Sequence, residues 1–500
     1  MKKAVMGIVA VLVCSVWVSV LAEEEISQDA VDAAVKKACE YLKAQQKPDG
    51  HWEYNPDAPF RLGPPGDKNW WLWEGSTALV LLALLKGGVS PDEECIKKGF
   101  AFIKSQPFKH TYSVACYVLA LEALYDAKAK KIAEEEAKKE EAKDEKGLTK
   151  PVDEIERELN PPKVKWAPDD WKSFVDAIDW LVKNKNKRVW RYPQFGEDAS
   201  NAQYAMLAIS AAQRMKVPVP DSLYWEVAGY YLGCQEKEGP EVKPFRVPIA
   251  DLPMKELLKV RKDLLEGVKE AEKEAKKMGV EFDREKFRTS AVEKAQEKIF
   301  GGEPSKMFAR GWCYMYDDPQ KQQWRFIITG AMTASAICAL SVCKAGLGTK
   351  DNYKQIEKQV DQAIRDGCAW VAYYFSVTKN PSGKIFPGGK GAPDGGQVIH
   401  HFYWLYALER IGILCLVRKF GDHDWYVEGS KYLLGSQRSD GSWDAGNYGT
   451  SGPIPDTCWA ILYLKRATTP LVAVPKGIFT GEGILGGGKK ETPKETPKEK

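Results

Sequence analysis

Segments that are apolar nearly all the way round alternate, six times over, with segments that carry a single apolar stripe. The first stripe is Val31, Ala34, Val35, Ala38 and Leu42, recurring at steps of three and four residues, which predicts an amphipathic helix. It stops at Pro48 and Gly50, and after a Pro/Gly-rich loop comes STALVLLALLKGG at 76–88, with no polar face. The same succession follows at 92–106 and 112–124, at 170–184 and 199–212, and at 222–235 and 327–343. It closes at 353–375 and 398–416, and at 425–437 and 456–464. A helix that is apolar on every side needs neighbours on every side, whereas a striped helix can face water. Six such pairs satisfy both demands if the apolar helices form an inner ring and the striped ones an outer ring. The predicted fold class is therefore all-α, an (α/α)6 toroid. An open superhelix of helical hairpins is the alternative, and it would have to cap its two ends.

Two stretches interrupt the rhythm, at about 126–165 and about 240–305. The first contains KAKKIAEEEAKKEEAKDEK and has almost no apolar stripe, so it reads as a solvated helix or a linker. In the second, Leu257, Leu264, Val268, Ala271, Ala275 and Met278 recur at roughly heptad spacing. That predicts a projecting helical hairpin or a partner-binding coiled coil. The first insertion leaves an inner helix and the second leaves an outer one, which places their junctions on opposite faces. The second is expected on the face that holds the Gly-x-Trp corners and the N-terminal ends of the inner helices. Residues 471–500, ending GGGKKETPKETPKEK, are low-complexity and read as a disordered tail. The toroid domain is expected over 23–470.

The first residues read as an export signal. Lys2 and Lys3 precede an apolar run over 4–21, and Val20 and Ala22 fit the small-residue rule for cleavage, giving a signal peptide over 1–22. An uncleaved membrane anchor is the alternative. Localisation is thus expected to be periplasmic or extracellular. Ten cysteines follow the signal, scattered through helical patterns with no C-x-x-C pair, as small buried apolar residues would be. The net charge of +4 is spread over mixed-sign helices, which is a solvated-face pattern and excludes a nucleic-acid stripe.

The sequence QRSDGSW at 437–443, from Gln437 through Gly441 to Trp443, has a counterpart at Gln46, Gly50 and Trp52. This Q-x-x-x-G-x-W spacing resembles the QW repeat of squalene and oxidosqualene cyclases, in a superfamily of α/α-toroids that includes protein prenyltransferase β-subunits. Further segments, among them EDASNAQYAMLAISAAQRMKVPVP, TGAMTASAICAL, FSVTKNPSG, WLYALERIG and GDHDWYVEGSKYLLGSQRSDGSWD, resemble exported squalene-cyclase-like repeat proteins of planctomycete type. The resemblance covers most of 28–470 outside the insertions. It implies a hollow ring suited to a bulky, partly apolar ligand. Cyclases of this class protonate a double bond with a D-x-D-D motif. No D-x-D-D occurs in the chain, and Asp317-Asp318 and Asp422-His423-Asp424 do not match it.

Candidate ligand-binding residues lie at the predicted starts of the inner helices: Trp71, Glu74, Tyr112, Asp198, Asn201, Gln203, Tyr204, Thr329, His400, His401, Tyr403 and Asp456. Polar and aromatic groups gathered at one mouth of an apolar ring are what a ligand pocket needs. Asp198 is equally placed to cap a helix. Prenyltransferases bind zinc through an Asp-x-Cys and a histidine, and Asp456, Cys458 and His400 offer the same donors in reversed order. No cofactor is otherwise predicted. Asp422, His423 and Asp424 precede an outer helix, on the face away from the mouth, where capping accounts for them.

The function expected is an exported toroid that holds a bulky, partly apolar small molecule in its central cavity. Three alternatives remain open at this point: a terpenoid cyclase or prenyltransferase-type enzyme, a carbohydrate-active enzyme with paired carboxylates, and a scaffold whose insertion helices bind a protein partner.

Overall fold

In the computed structural model, the described residues are 26–54, 73–141, 164–192, 196–259, 277, 303–314, 326–385, 400–446 and 452–472. Twelve helices make the framework: α1 (Gln28–Ala44), α2 (Trp73–Lys86), α3 (Glu94–Lys104), α4 (Thr111–Glu141), α5 (Pro168–Lys183) and α6 (Ala199–Arg214), then α7 (Asp221–Cys234), α8 (Gly330–Leu347), α9 (Lys354–Tyr373), α10 (His401–Leu414), α11 (Trp425–Ser436) and α12 (Pro453–Leu464). The even-numbered helices pack side by side in order, α2 on α4, α4 on α6, α6 on α8, α8 on α10 and α10 on α12. Helix α12 then packs on α2, which closes the inner ring. The open superhelix is thereby excluded, and the fold is an all-α (α/α)6 toroid.

Burial follows the two sequence patterns. Every residue of α10 is buried, as are residues 199–212 of α6. In α3 only Ile96, Gly99, Phe100 and Ile103 are buried, at helical spacing along one stripe. Helix α8 is long and apolar enough to cross a membrane, but 89% of that stretch is buried inside the ring, as an inner helix requires.

The corners between outer and inner helices share one construction. The indole N–H of Trp52 donates to Leu42 O at 2.6 Å, in the last turn of α1. Trp190, Trp312 and Trp443 do the same to Leu181, Tyr231 and Leu433 in α5, α7 and α11, at 2.8, 2.8 and 2.9 Å. Each indole donates to a carbonyl in the last turns of an outer helix, where the intrahelical donors run out. The backbone N–H groups of Trp52, Trp312 and Trp443 donate to the hydroxyls of Thr77, Thr333 and Thr457, near the start of the following inner helix. One tryptophan thus fastens the end of one helix to the start of the next.

A glutamine completes three of these corners. Gln46 Nε2 donates to Gly50 O and to Cys95 O of the next outer helix. Gln235 bridges Arg310 O and Ala363 O, and Gln437 bridges Gly441 O and Ala34 O. Gly50 and Gly441 turn these corners at φ +97° and +95°, with Lys98 O and Lys37 O 2.5 and 2.6 Å from where a Cβ would sit. Both the backbone angle and the close carbonyl require glycine.

Three short antiparallel ribbons trim the ring: β1 (Glu241–Val242) with β2 (Met307–Phe308), β3 (Ile327–Thr329) with β4 (Ser382–Ile385), and β5 (Lys419–Phe420) with β6 (His423–Asp424). The first insertion begins as a continuation of α4, whose 31 residues span about 46 Å. The second begins and ends in the β1–β2 ribbon. It does not stay at the mouth, as its junction had suggested. A one-turn helix, Pro248–Asp251, packs on α9, with Asp251 paired to Arg365 at 2.8 Å. Within it Ile249 N donates to Cys415 O, just past α10, and beyond it Met254 packs against Gly348, just past α8. The buried run Val247, Ile249, Ala250, Leu252, Met254 and Leu257 draws this arm across the wall to the C-terminal ends of the inner helices. The remainder of the heptad-spaced segment, the signal segment, Asp317-Asp318 and the C-terminal tail lie outside the described residues. Of the ten described cysteines, nine are buried and Cys95 is half-buried.

Candidate functional site

Several of the polar residues at the mouth are occupied in ending helices. Asp198 caps α6, accepting from Asn201 N at 2.8 Å, Ser200 Oγ at 2.7 Å and Asn201 Nδ2 at 2.9 Å. Burial raises its pKa to about 6, against the lowering effect of those hydrogen bonds. Thr329 caps α8 by accepting from Met332 N at 3.3 Å. Asp198, Asn201 and Thr329 therefore spend their groups on local structure. Trp71 lies outside the described residues, as does the side chain of Glu74.

Four of the predicted residues converge. The rings of Tyr112 and Tyr204 are 4.6 Å apart, and those of Tyr204 and Tyr403 are 6.2 Å apart. Gln203 Oε1 accepts from Tyr403 OH at 2.7 Å and from Ser335 Oγ at 3.0 Å. Trp459 stands edge-on to Tyr403 at 5.4 Å and donates its indole N–H to Tyr204 OH at 3.1 Å. These side chains come from α4, α6, α8, α10 and α12, five of the six inner helices. Helices α6 and α12 are third and sixth in the ring, so the Tyr204–Trp459 bond spans its axis.

Beneath this layer lies Arg410, fully buried on α10. Its Nε donates to Tyr406 O at 3.2 Å. Its guanidinium carbon lies 4.0, 4.8 and 5.5 Å from the ring centres of Tyr406, Tyr204 and Tyr403. Both terminal amino groups are buried with no hydrogen-bond partner, and so is Gln203 Nε2. The neighbouring Glu409 faces elsewhere, accepting from Thr468 N at 3.0 Å and Thr468 Oγ1 at 2.6 Å, and burial lifts its pKa to about 7.

The histidines and Asp456 sit around this centre without joining one another. His400 adopts a left-handed conformation (φ 72°), stands 6.4 Å from the Tyr403 ring, and has its pKa pulled down to about 4 by desolvation. His401 pairs through Nε2 with Val377 O at 2.8 Å. Asp456 accepts from Ala445 N at 2.9 Å, and burial raises its pKa to about 8. Among the described residues no three His, Cys, Asp or Glu side chains gather as metal ligands. Asp424, in the Asp422-His423-Asp424 cluster, caps α11 by accepting from Val427 N at 3.2 Å, while His423 contacts Glu428 at 3.1 Å and stacks on Phe375.

Sequence reasoning passed over Arg410, Tyr406 and Trp459. The readable sign was Glu409-Arg410, two adjacent charges within a helix whose other residues are almost all apolar or aromatic.

No protein-family model matches the chain, and no curated protein matches it. Among solved structures it is similar to a type II terpene cyclase from Scytonema in complex with merosterolic acid A, described as the product. The identity is 11% and the TM-score 0.36, over 88% of this chain and 97% of that one. The toroid itself is established by the helix neighbours of this chain, independently of that likeness.

Proposed function

We propose that the interior of the ring binds a small molecule with a bulky apolar body. The observation that supports this most directly is the meeting of Tyr112, Gln203, Tyr204, Tyr403 and Trp459 on the ring axis. Here the centre presents aromatic faces with a few fixed hydroxyl and amide groups, the composition of a ligand pocket. The test is solvent extraction of the purified protein followed by mass spectrometry. A stoichiometric apolar compound supports the reading; repeated extraction of empty protein, together with failure to bind added apolar compounds, removes it.

A second reading, acid-initiated chemistry on such a ligand, draws on Asp456. Its carboxyl is held protonated at neutral pH by burial and lies three residues before Trp459, on the same side of α12. Under that reading Asp456→Asn abolishes turnover of the extracted compound while leaving its binding intact.

A further inference from the structure

We propose that Arg410 anchors an anionic head group, a carboxylate or a phosphate, so that the molecule held in the ring is an anionic amphiphile. This rests on the reading of the ring as a ligand site and specifies one end of the ligand.

The other buried cations near the ring have partners. Arg214 is paired with Glu122 at 2.7 Å and Lys344 with Asp361 at 2.6 Å, while Arg365 pairs with Asp251 and Arg310 with Asp366. Arg410 is more deeply buried than most of them and has no carboxylate. Three tyrosine rings face its guanidinium, which attracts the cation to their π-faces and fixes its position. Ring faces cannot accept the in-plane hydrogen bonds of the two terminal amino groups. A buried charge left in that condition is costly, and it persists where something completes it.

What would complete it is specified by the atoms left over. The two amino groups of Arg410 and Nε2 of Gln203 are all donors, and Tyr403 links the two residues. Tyr204 OH accepts from Trp459, which leaves its own proton free to donate as well. A site made only of donors around a fixed cation calls for an acceptor-rich anion. The planar fork of a guanidinium matches the two oxygens of a carboxylate or phosphate. Glu409 does not serve, because its carboxyl is engaged by Thr468 N and Thr468 Oγ1. Arg410 lies two turns beyond Tyr403 on α10, about 10 Å along the axis. Its side chain reaches back toward the helix N-terminus, to 4.8 and 5.5 Å from the Tyr204 and Tyr403 rings, so the head group sits directly against the aromatic layer.

The experiment uses three probes with one branched hydrocarbon chain and different heads: farnesoic acid, farnesyl phosphate and farnesol. Binding is measured by calorimetry on the wild-type chain, Arg410→Met and Arg410→Lys. At least one anionic probe is expected to bind about tenfold or more tighter than the alcohol, and the order of acid and phosphate identifies the head group. Arg410→Met should reduce that probe to the affinity of the alcohol, and Arg410→Lys should keep part of the preference. The ligand-free Arg410→Met protein should melt no lower than wild type, since it loses an unpaired charge and keeps a side chain of similar length. Equal binding of all three probes overturns the anionic anchor but leaves the apolar site standing. An anion preference that survives Arg410→Met also overturns it, as does a clear fall in the melting temperature of ligand-free Arg410→Met. If none of the probes binds, the ligand reading of the ring falls and this proposal falls with it.

Discussion

Gln437 Nε2 donates to Ala34 O at 2.9 Å across a separation of 403 residues. Its second hydrogen, directed to Gly441 O at 3.0 Å, holds the corner that follows α11. One amide thus ties the last outer helix to the first. Gln46 and Gln235 make the equivalent tie between consecutive outer helices. Replacing Gln437 by alanine removes both hydrogen bonds, takes this donor from Gly441 O and cuts the tie to α1, and should cost about 1–3 kcal/mol. Urea unfolding of Gln437→Ala and Gln46→Ala measures this directly. No loss of stability in either variant would show that the glutamine tie is dispensable.

The glycines make a paired prediction. At Gly441, a Cβ would meet Lys37 O at 2.6 Å with φ at +95°, so Gly441→Ala should lose more than about 1 kcal/mol. At Gly229, inside α7, nothing lies within 4 Å of the added atom. Gly229→Ala should therefore gain about 0.4–1 kcal/mol through the unfolded chain. Thermal melts of the two variants should move in opposite directions.

The ring was legible because burial leaves a local trace. A helix with neighbours on all sides shows no polar face, and its striped partner shows one. Two of the glutamine corners were legible for the same reason, since Gln46–Trp52 and Gln437–Trp443 are contiguous. The third, Gln235 with Trp312, is hidden because the second insertion runs between its two halves. The centre of the ring was only partly legible. Tyr112, Gln203, Tyr204 and Tyr403 stand near inner-helix starts, and position alone placed them together. Trp459 and Arg410 escaped because an all-round apolar helix has no stripe, and its pattern does not reveal which side faces the axis. Asp198 and Thr329 look identical in sequence whether they cap a helix or face a ligand.

Stability should fall as pH rises from about 6.5 to about 8. Burial raises the folded pKa of Glu409 to about 7 and of Asp456 to about 8, far above ordinary carboxylate values. In this window the folded chain holds protons that the unfolded chain has already released, so unfolding becomes easier with each step up in pH. The contribution is complete below the unfolded carboxyl pKa and is lost as pH passes the folded values. His400 and His401, whose pKa values are lowered by desolvation, act with the opposite sign, but only below about 6.5, where the unfolded imidazoles gain protons. Urea midpoints at pH 6.5, 7, 7.5 and 8 should therefore decline, and Asp456→Asn should flatten the upper part of the slope. A rising or flat profile in the wild-type chain would contradict the assignment.

Paired and unpaired charges in the ring should respond oppositely to removal. Glu122 on α4 and Arg214 on α6 meet through two parallel bonds of 2.7 Å, and Ser210 Oγ accepts a third from the arginine. Burial would raise the pKa of Glu122, but Arg214 and Lys86 outweigh it and hold the carboxyl below its ordinary value. Arg214→Met strands that carboxylate between two inner helices and should cost about 3–5 kcal/mol. Adding Glu122→Leu to it should recover much of the loss, because the second substitution removes the stranded charge. Arg410 has no carboxylate to strand, so its removal should cost the empty ring little or nothing. Melting curves of Arg214→Met, Arg214→Met/Glu122→Leu and Arg410→Met, all without ligand, separate a charge kept for the fold from one kept for what the fold encloses. Equal destabilisation by the two single arginine substitutions would mean that both arginines serve the fold alone.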